Sequence, residues 1–320
     1  MTARRLRSRA FGLEIDSSFE APGLPPVAGP AVGPPTRLEL APEREIDDAW
    51  PAGGSERILE ERFDGDGAPS ARTIDVHPEH GYRLYARGFG LARIAADGSL
   101  VECAPPASEA AWSWQRFLVG RVLPWAAVLR GYEVLHASAV AVDGRAIAFV
   151  GPTGAGKTSL ALRLVAGGAS FLTDDVVAID VSDGRPRAHP GAGVAGVRPA
   201  ERDAIEPAVW ERLGTVLGHS EKTYLALDRV DEPLELAAVC FIAGGDGPLV
   251  ERMPTVDPRL LLTSTFVLGV RTPERMRTQL DVCASLAAHV PALWLRGCAA
   301  GPEKLAAAVV DEVRAARAPA

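Results

Sequence analysis

The spacing of apolar and polar residues changes character three times along this 320-residue chain. Residues 1–36 contain Pro22-Gly-Leu-Pro-Pro and Gly33-Pro-Pro, and these breakers predict a Pro/Gly-rich lead without regular structure. From Arg37 to Cys103 apolar residues recur in short alternating runs such as Leu38-Glu-Leu, Tyr82-Arg-Leu-Tyr and Leu91-Ala-Arg-Ile. That period of two is the mark of strands with one buried face. Asp97-Gly98 between two such runs predicts a hairpin. Residues 1–106 are therefore expected to form a small, mainly antiparallel β module.

Over 107–130 the spacing turns helical. Trp112, Trp114, Phe117, Leu118 and Val122 fall close to one face, and Pro124 suits the first turn of a second helix. A core stripe at a domain junction is the expected reading of these aromatics, ahead of a stacking site. Residues 131–320 read as α/β. The pattern predicts one strand over 134–142, a turn at Asp143-Gly144, and a nearly all-apolar strand over 145–150. A helix over 157–166 stops at Gly167-Gly168. Further strands are expected at 170–172, 176–179, 224–227, 236–242 and 292–295, with helices at 200–213, 258–266, 273–288 and 302–317.

Composition narrows the class. Hydrophobic residues make up 47% and charged residues 23%, enough apolar content for a sizeable core and too much for a disordered chain. The formal net charge of −7 argues against a nucleic-acid partner, whose affinity comes largely from basic contacts to phosphate. No apolar run reaches the ~18 residues of a membrane span, so no membrane association is expected. Arg4, Arg5, Arg7 and Arg9 imitate the basic start of a signal peptide, but Glu14 and Asp16 interrupt the apolar segment such a peptide needs. Cys103, Cys240, Cys283 and Cys298 are widely scattered and read as free thiols of a cytoplasmic protein. Of the 34 basic residues only Lys157, Lys222 and Lys304 are lysine. Arginine lacks the compact, mobile ammonium, so in this chain each lysine carries more information than usual.

The chemistry gathers around one loop. Gly151, Pro152, Thr153, Gly154, Ala155, Gly156, Lys157 and Thr158 fit G-x-x-x-x-G-K-[ST] between a predicted strand and a predicted helix, with Ser159 following. In that setting glycines let backbone amides converge on phosphate oxygens, the lysine reaches the β/γ-phosphates, and the Thr158 hydroxyl can ligate Mg²⁺. ATP and Mg²⁺ are the expected cofactors. Asp174-Asp175 ends a short strand one helix later; such a pair can share a cation and a proton-accepting task. His136 sits on the strand preceding the loop strand, either as a satisfied core histidine or beside the reacting groups. Lys222, in Ser220-Glu-Lys-Thr-Tyr, is either an exposed loop lysine or a second phosphate contact.

Leu135-His-Ala-Ser-Ala-Val, the glycine loop and Thr173-Asp-Asp together resemble the kinase domain of the HPr kinase/phosphorylase family. Gly151 follows His136 by 15 positions and Asp174 follows Gly151 by 23, similar to the spacing in that family. The resemblance covers residues 131–181 well and the remainder loosely. It implies an α/β kinase domain akin to ATP-dependent phosphoenolpyruvate carboxykinase. It further implies Asp174 as general base with His136 assisting, Thr158 and Asp175 on Mg²⁺, and Lys157 on the phosphates. Its relatives transfer the γ-phosphate of ATP to serine-type hydroxyls on proteins, peptides (ribosomally made, tailored peptides included) or free amino acids.

The family's Glu-Ile-Arg-Gly-Leu-Gly-type signature has no counterpart; His189-Pro-Gly-Ala-Gly-Val stands there, leaving Glu201 as the candidate second metal carboxylate. Arg271, Arg275 and Arg277 occupy the region of the phosphorylase loop without matching it. The expected activity is thus phosphotransfer to a peptide or protein hydroxyl, with a small-metabolite kinase or a nucleotide-gated binding protein as alternatives. The oligomeric state, a homo-oligomer included, is left open.

Overall fold

The start of the chain corrects the first expectation. In the computed structural model, residues Leu6–Ala10 (β1) and Leu13–Ser17 (β2) form an antiparallel hairpin whose turn residues, Phe11 and Gly12, both take positive φ. Leu13, Ile15 and Ser17 alternate inward along β2, so the period of two was present beneath the breakers. The structure describes residues 5–30, 33–62, 71–107, 111–243, 245, 247–296 and 301–315. Arg4, Ser108, Cys298 and the last residues of the expected closing helix lie outside them.

The protein is mixed α/β with several sheets, and its backbone contacts divide it into two units. One comprises Met1–Tyr132 with Val267–Arg275. Here Thr36–Leu40 (β3), Glu56–Glu61 (β4), Arg72–His77 (β5), Gly81–Ala86 (β6), Gly90–Ile94 (β7) and Leu100–Ala104 (β8) join the hairpin. The order is β1-β2-β3-β8-β7-β6-β5-β4, antiparallel except where β3 lies parallel to β2 and β8. Glu43–Asp48 (α1) packs Ile46 against Leu91 and Ala104. Ala111–Phe117 (α2) runs through a π-helical turn at Leu118–Val122 into Leu123–Leu129 (α3), with Pro124 in the first turn of α3. Of the expected core stripe, Leu118 and Val122 are buried whereas Trp112, Trp114 and Phe117 are only partly covered; Trp125, outside that stripe, packs on Tyr82 at 5.1 Å between ring centroids.

The other unit comprises Glu133–Phe266 with Met276–Ala320. The run expected as one strand over 134–142 is two, Glu133–Leu135 (β9) and Ala137–Val142 (β10), parted at His136, whose amide donates to the Ser264 carbonyl at 2.7 Å. Arg145–Val150 (β11) follows, then Lys157–Ala166 (α4), Ser170–Thr173 (β12), Val177–Ser182 (β13) and Arg185–His189 (β14). Val194–Val197 (β15) leads to Pro199–Ala204 (α5) and Pro207–Leu213 (α6), where one helix was expected. Pro207 explains the break: it disfavours helical backbone at Glu206, and Ile205 is extended. Thr215–His219 (β16), Thr223–Ala226 (β17), Leu234–Ile242 (β18), Val250–Arg252 (β19), Pro258–Leu262 (α7), Pro273–His289 (α8), Ala292–Leu295 (β20) and Pro302–Ala315 (α9) complete the chain. Of these, α8 begins in the first unit and ends in the second.

The main sheet runs β12-β10-β11-β18-β14-β13-β9, and β20 joins β18 and β19. Strand β18 is long enough to change partners, meeting β14 at Leu234–Glu235 and β20 from Val239 onward. A separate three-stranded sheet has the order β15-β17-β16. Helix α4 is held between two apolar layers. Leu160, Ala161 and Leu164 pack with Ile147, Phe149, Leu305 and Val309, while Leu162 packs with Phe171, Trp210 and Leu225. Each buried leucine contributes about 1.5–3 kcal/mol, so the start of α4 is firmly fixed. Among the described residues no helix is long and apolar enough to cross a membrane.

Candidate functional site

The loop between β11 and α4 turns on two glycines. Gly154 and Gly156 have φ of +86° and +98°, and a Cβ on either would meet nothing within 4 Å. Backbone conformation therefore demands glycine there; crowding does not. Gly151 is different: a Cβ would lie 3.2 Å from that of Ala155 and 3.4 Å from that of Ile242. Pro152, Thr153 and Gly154 are exposed, whereas Ala155, Gly156, Thr158 and Ser159 are partly covered. Lys157 is 5% exposed and curls back over its own loop, donating from Nζ to the carbonyls of Gly151 (2.8 Å) and Pro152 (3.2 Å). Burial lowers its pKa, opposed by the charges of Asp175 and Asp174.

The acidic pair follows β12 in a tight turn. Thr173 Oγ1 donates to the Val176 carbonyl at 2.7 Å, the Val176 amide donates to the Asp174 carbonyl at 2.8 Å, and Asp175 takes a left-handed φ of 62°. Strand register brings the turn to β10, since Ala139 pairs with Thr173. Three donors then converge on the Asp174 carboxylate. Ser138 Oγ (2.6 Å) and Thr158 Oγ1 (2.8 Å) donate to Oδ1, and the Gly196 amide donates to Oδ2 at 3.1 Å. Burial, and then the adjacent charge of Asp175, push the Asp174 carboxyl up to about 6 in spite of these donors. Asp175 faces Lys222, with Nζ 3.9 Å from Oδ2.

The glycine loop, Thr158, Lys157, Asp174, Asp175 and Lys222 thus form one cluster. Within it Thr158 is bonded to Asp174, whereas the resemblance couples it with Asp175 through the cation. The donor set of one hydroxyl and two carboxylates suits Mg²⁺, a hard ion bound by one or two carboxylates together with substrate phosphate oxygens and water. Among the described residues no group of three or more His, Cys, Asp or Glu side chains could form a self-contained metal cage. Glu201 does not join the cluster; it pairs with Arg163 at 2.9 Å. The His136 ring stacks on Phe266 with centroids 5.9 Å apart and planes 8° off parallel. Arg271 and Arg275 belong to the first unit and Arg277 to the second.

Two contributors escaped the sequence. Ser138 had a signal: it is the one polar residue of β10, every position of which is buried, and a buried hydroxyl needs a hydrogen-bond partner. Gly196 had none, since it acts through its backbone amide.

No protein-family model matches the chain, and no curated protein matches it. Among solved structures it is similar to the HPr(Ser) kinase/phosphatase from Coxiella burnetii, at 15% identity and a TM-score of 0.31, covering 58% of this chain and 96% of that one.

Proposed function

We propose that this chain is an ATP- and Mg²⁺-dependent phosphotransferase acting on a serine-type hydroxyl of a peptide or protein, ribosomally made peptides under tailoring among them. The observation that carries the reading is the 2.8 Å hydrogen bond from Thr158 to Asp174. It joins the first turn of the helix behind the glycine loop to the acidic pair, so chemistry at the end of that loop takes place beside a carboxylate.

We take the roles from the motif and the resemblance, with the cluster's hydrogen bonds in support of those on the loop and the acidic pair. Lys157 and the backbone amides of the loop Gly151–Ser159, Pro152 lining it without an N–H to donate, bind the phosphates. Thr158 and Asp175 hold Mg²⁺, which when bound neutralises charge on the β- and γ-phosphate oxygens. Asp174 orients the acceptor hydroxyl and takes its proton, with His136 assisting. The acceptor oxygen bonds to the γ-phosphorus, the bond from phosphorus to the bridging oxygen breaks, and ADP leaves.

The test is γ-phosphate transfer across a panel of peptides, proteins and free amino acids, comparing the native chain with Asp174→Asn. Loss of a general base typically costs about 10²–10⁴-fold. Transfer by the variant should fall by at least about a hundredfold while MgATP binding stays within a few-fold. Undiminished transfer by the variant removes the base assignment. Transfer to free amino acids alone identifies a metabolite kinase, and MgATP binding without any transfer leaves the nucleotide-gated alternative.

A further inference from the structure

We infer that Lys222 is a second phosphate-binding cation, contacting the terminal phosphate of a nucleoside triphosphate; the inference rests on the phosphotransferase reading above. Only three of the 34 basic residues are lysine, and two of them, Lys157 and Lys222, meet at the same acidic pair although 65 positions separate them. Lys222 lies between β16 and β17, in a turn closed by the Ser220 amide donating to the Lys222 carbonyl at 2.8 Å. Its side chain crosses Gly196: a Cβ built on that glycine would lie 3.0 Å from Lys222 Cδ and 3.4 Å from Nζ. Since the Gly196 amide holds Asp174, the ammonium, the amide and both carboxylates form one arrangement.

Neutralising Asp175 does not account for a lysine here. Arginine fills the other 31 basic positions and grips a carboxylate with two parallel bonds. At 3.9 Å the contact with Asp175 is longer than a charge-assisted hydrogen bond of about 2.7–2.9 Å, so the ammonium can exchange partners at small cost. Lys157 bonds the loop carbonyls, whereas Lys222 approaches the acidic pair from its other side, at Asp175, the carboxylate assigned to the nucleotide's Mg²⁺ and next to the proposed base. That division assigns Lys222 to the transferred phosphate.

The experiment is calorimetric titration of MgATP and MgADP into the full chain, native and Lys222→Ala, with thermal unfolding as a control on folding. Loss of one charge-assisted contact should weaken MgATP about tenfold or more and MgADP less than about threefold, with the melting temperature held. Lys222→Gln keeps the stem across Gly196 and should give the same split if the alanine variant loosens the turn. Equal weakening of both nucleotides, or of neither, overturns the role of Lys222 and leaves the phosphotransferase reading intact. A native chain that binds neither nucleotide removes that reading itself.

Discussion

An interior carboxylate stays ionised only when donors replace the water it has lost. Asp174 receives two hydroxyl bonds and one amide bond, yet its burial and the neighbouring Asp175 still raise it to about 6. Ser138 is the donor with no other evident task, since Thr158 also opens α4 and Gly196 contributes backbone alone. Ser138→Ala should leave MgATP affinity within about threefold, lower turnover about tenfold, and cost about 1 kcal/mol of stability. Steady-state kinetics beside nucleotide titration separates these effects; equal losses in affinity and turnover would show that the hydroxyl supports the loop rather than Asp174. Residue identity made Lys157, Thr158 and the acidic pair legible, because their side-chain chemistry is local. The bond that ties Asp174 to Ser138 spans 36 positions and arises from the pairing of β10 with β12, and the one to Gly196 spans 22 positions and joins two different sheets.

At the scale of elements, the loop works because α4 is gripped from two sides while its N-terminal approach is left-handed at Gly154 and Gly156. Alanine fits sterically at Gly156 but pays about 1–2 kcal/mol for that backbone. Gly156→Ala should therefore lower the melting temperature modestly and MgATP affinity by a larger factor, because relaxing φ turns the loop amides away. Thermal unfolding with and without nucleotide measures both. Gly151→Ala would act through packing on Ala155 and Ile242 instead. The strand, loop and helix of this segment could be read in order, since an apolar run, a glycine cluster and Lys157–Ala166 are contiguous. The division at His136 could not. Val134, Leu135 and Ala137 on either side of it are all fully buried, and a single polar residue in a run buried on both sides does not say where a strand changes neighbours.

For the molecule as a whole, the β-rich unit has its own electrostatic weak point. Cross-strand register places Arg57 on β4 and Arg83 on β6 opposite Asp75 on β5. Arg57 Nε and Arg83 Nη2 reach its carboxylate at 2.8 and 2.9 Å. Burial pushes the Asp75 carboxyl up, but these two forks outweigh it and hold it below the ordinary aspartate range. A depressed folded pKa gives stability that is complete above the unfolded value of about 3.9 and fades as pH falls through the folded one. Denaturant unfolding followed by tryptophan fluorescence should thus show this unit weakening below about pH 4. Asp75→Asn should flatten that decline and cost about 2 kcal/mol at neutral pH, since it leaves two arginines facing an uncharged partner.

The amino-acid order alone determined the α/β character of the second unit, the glycine loop with Lys157 and Thr158, and the existence of an acidic pair. Those features depend on side-chain type and on contacts within a few residues. Tertiary structure decided which acid lies against Thr158, that Glu201 stands with Arg163, and that Ser138, Gly196 and Lys222 belong to the same cluster. Each of these depends on strand register or on packing between distant segments, where a shift of one residue would turn a side chain to the opposite face.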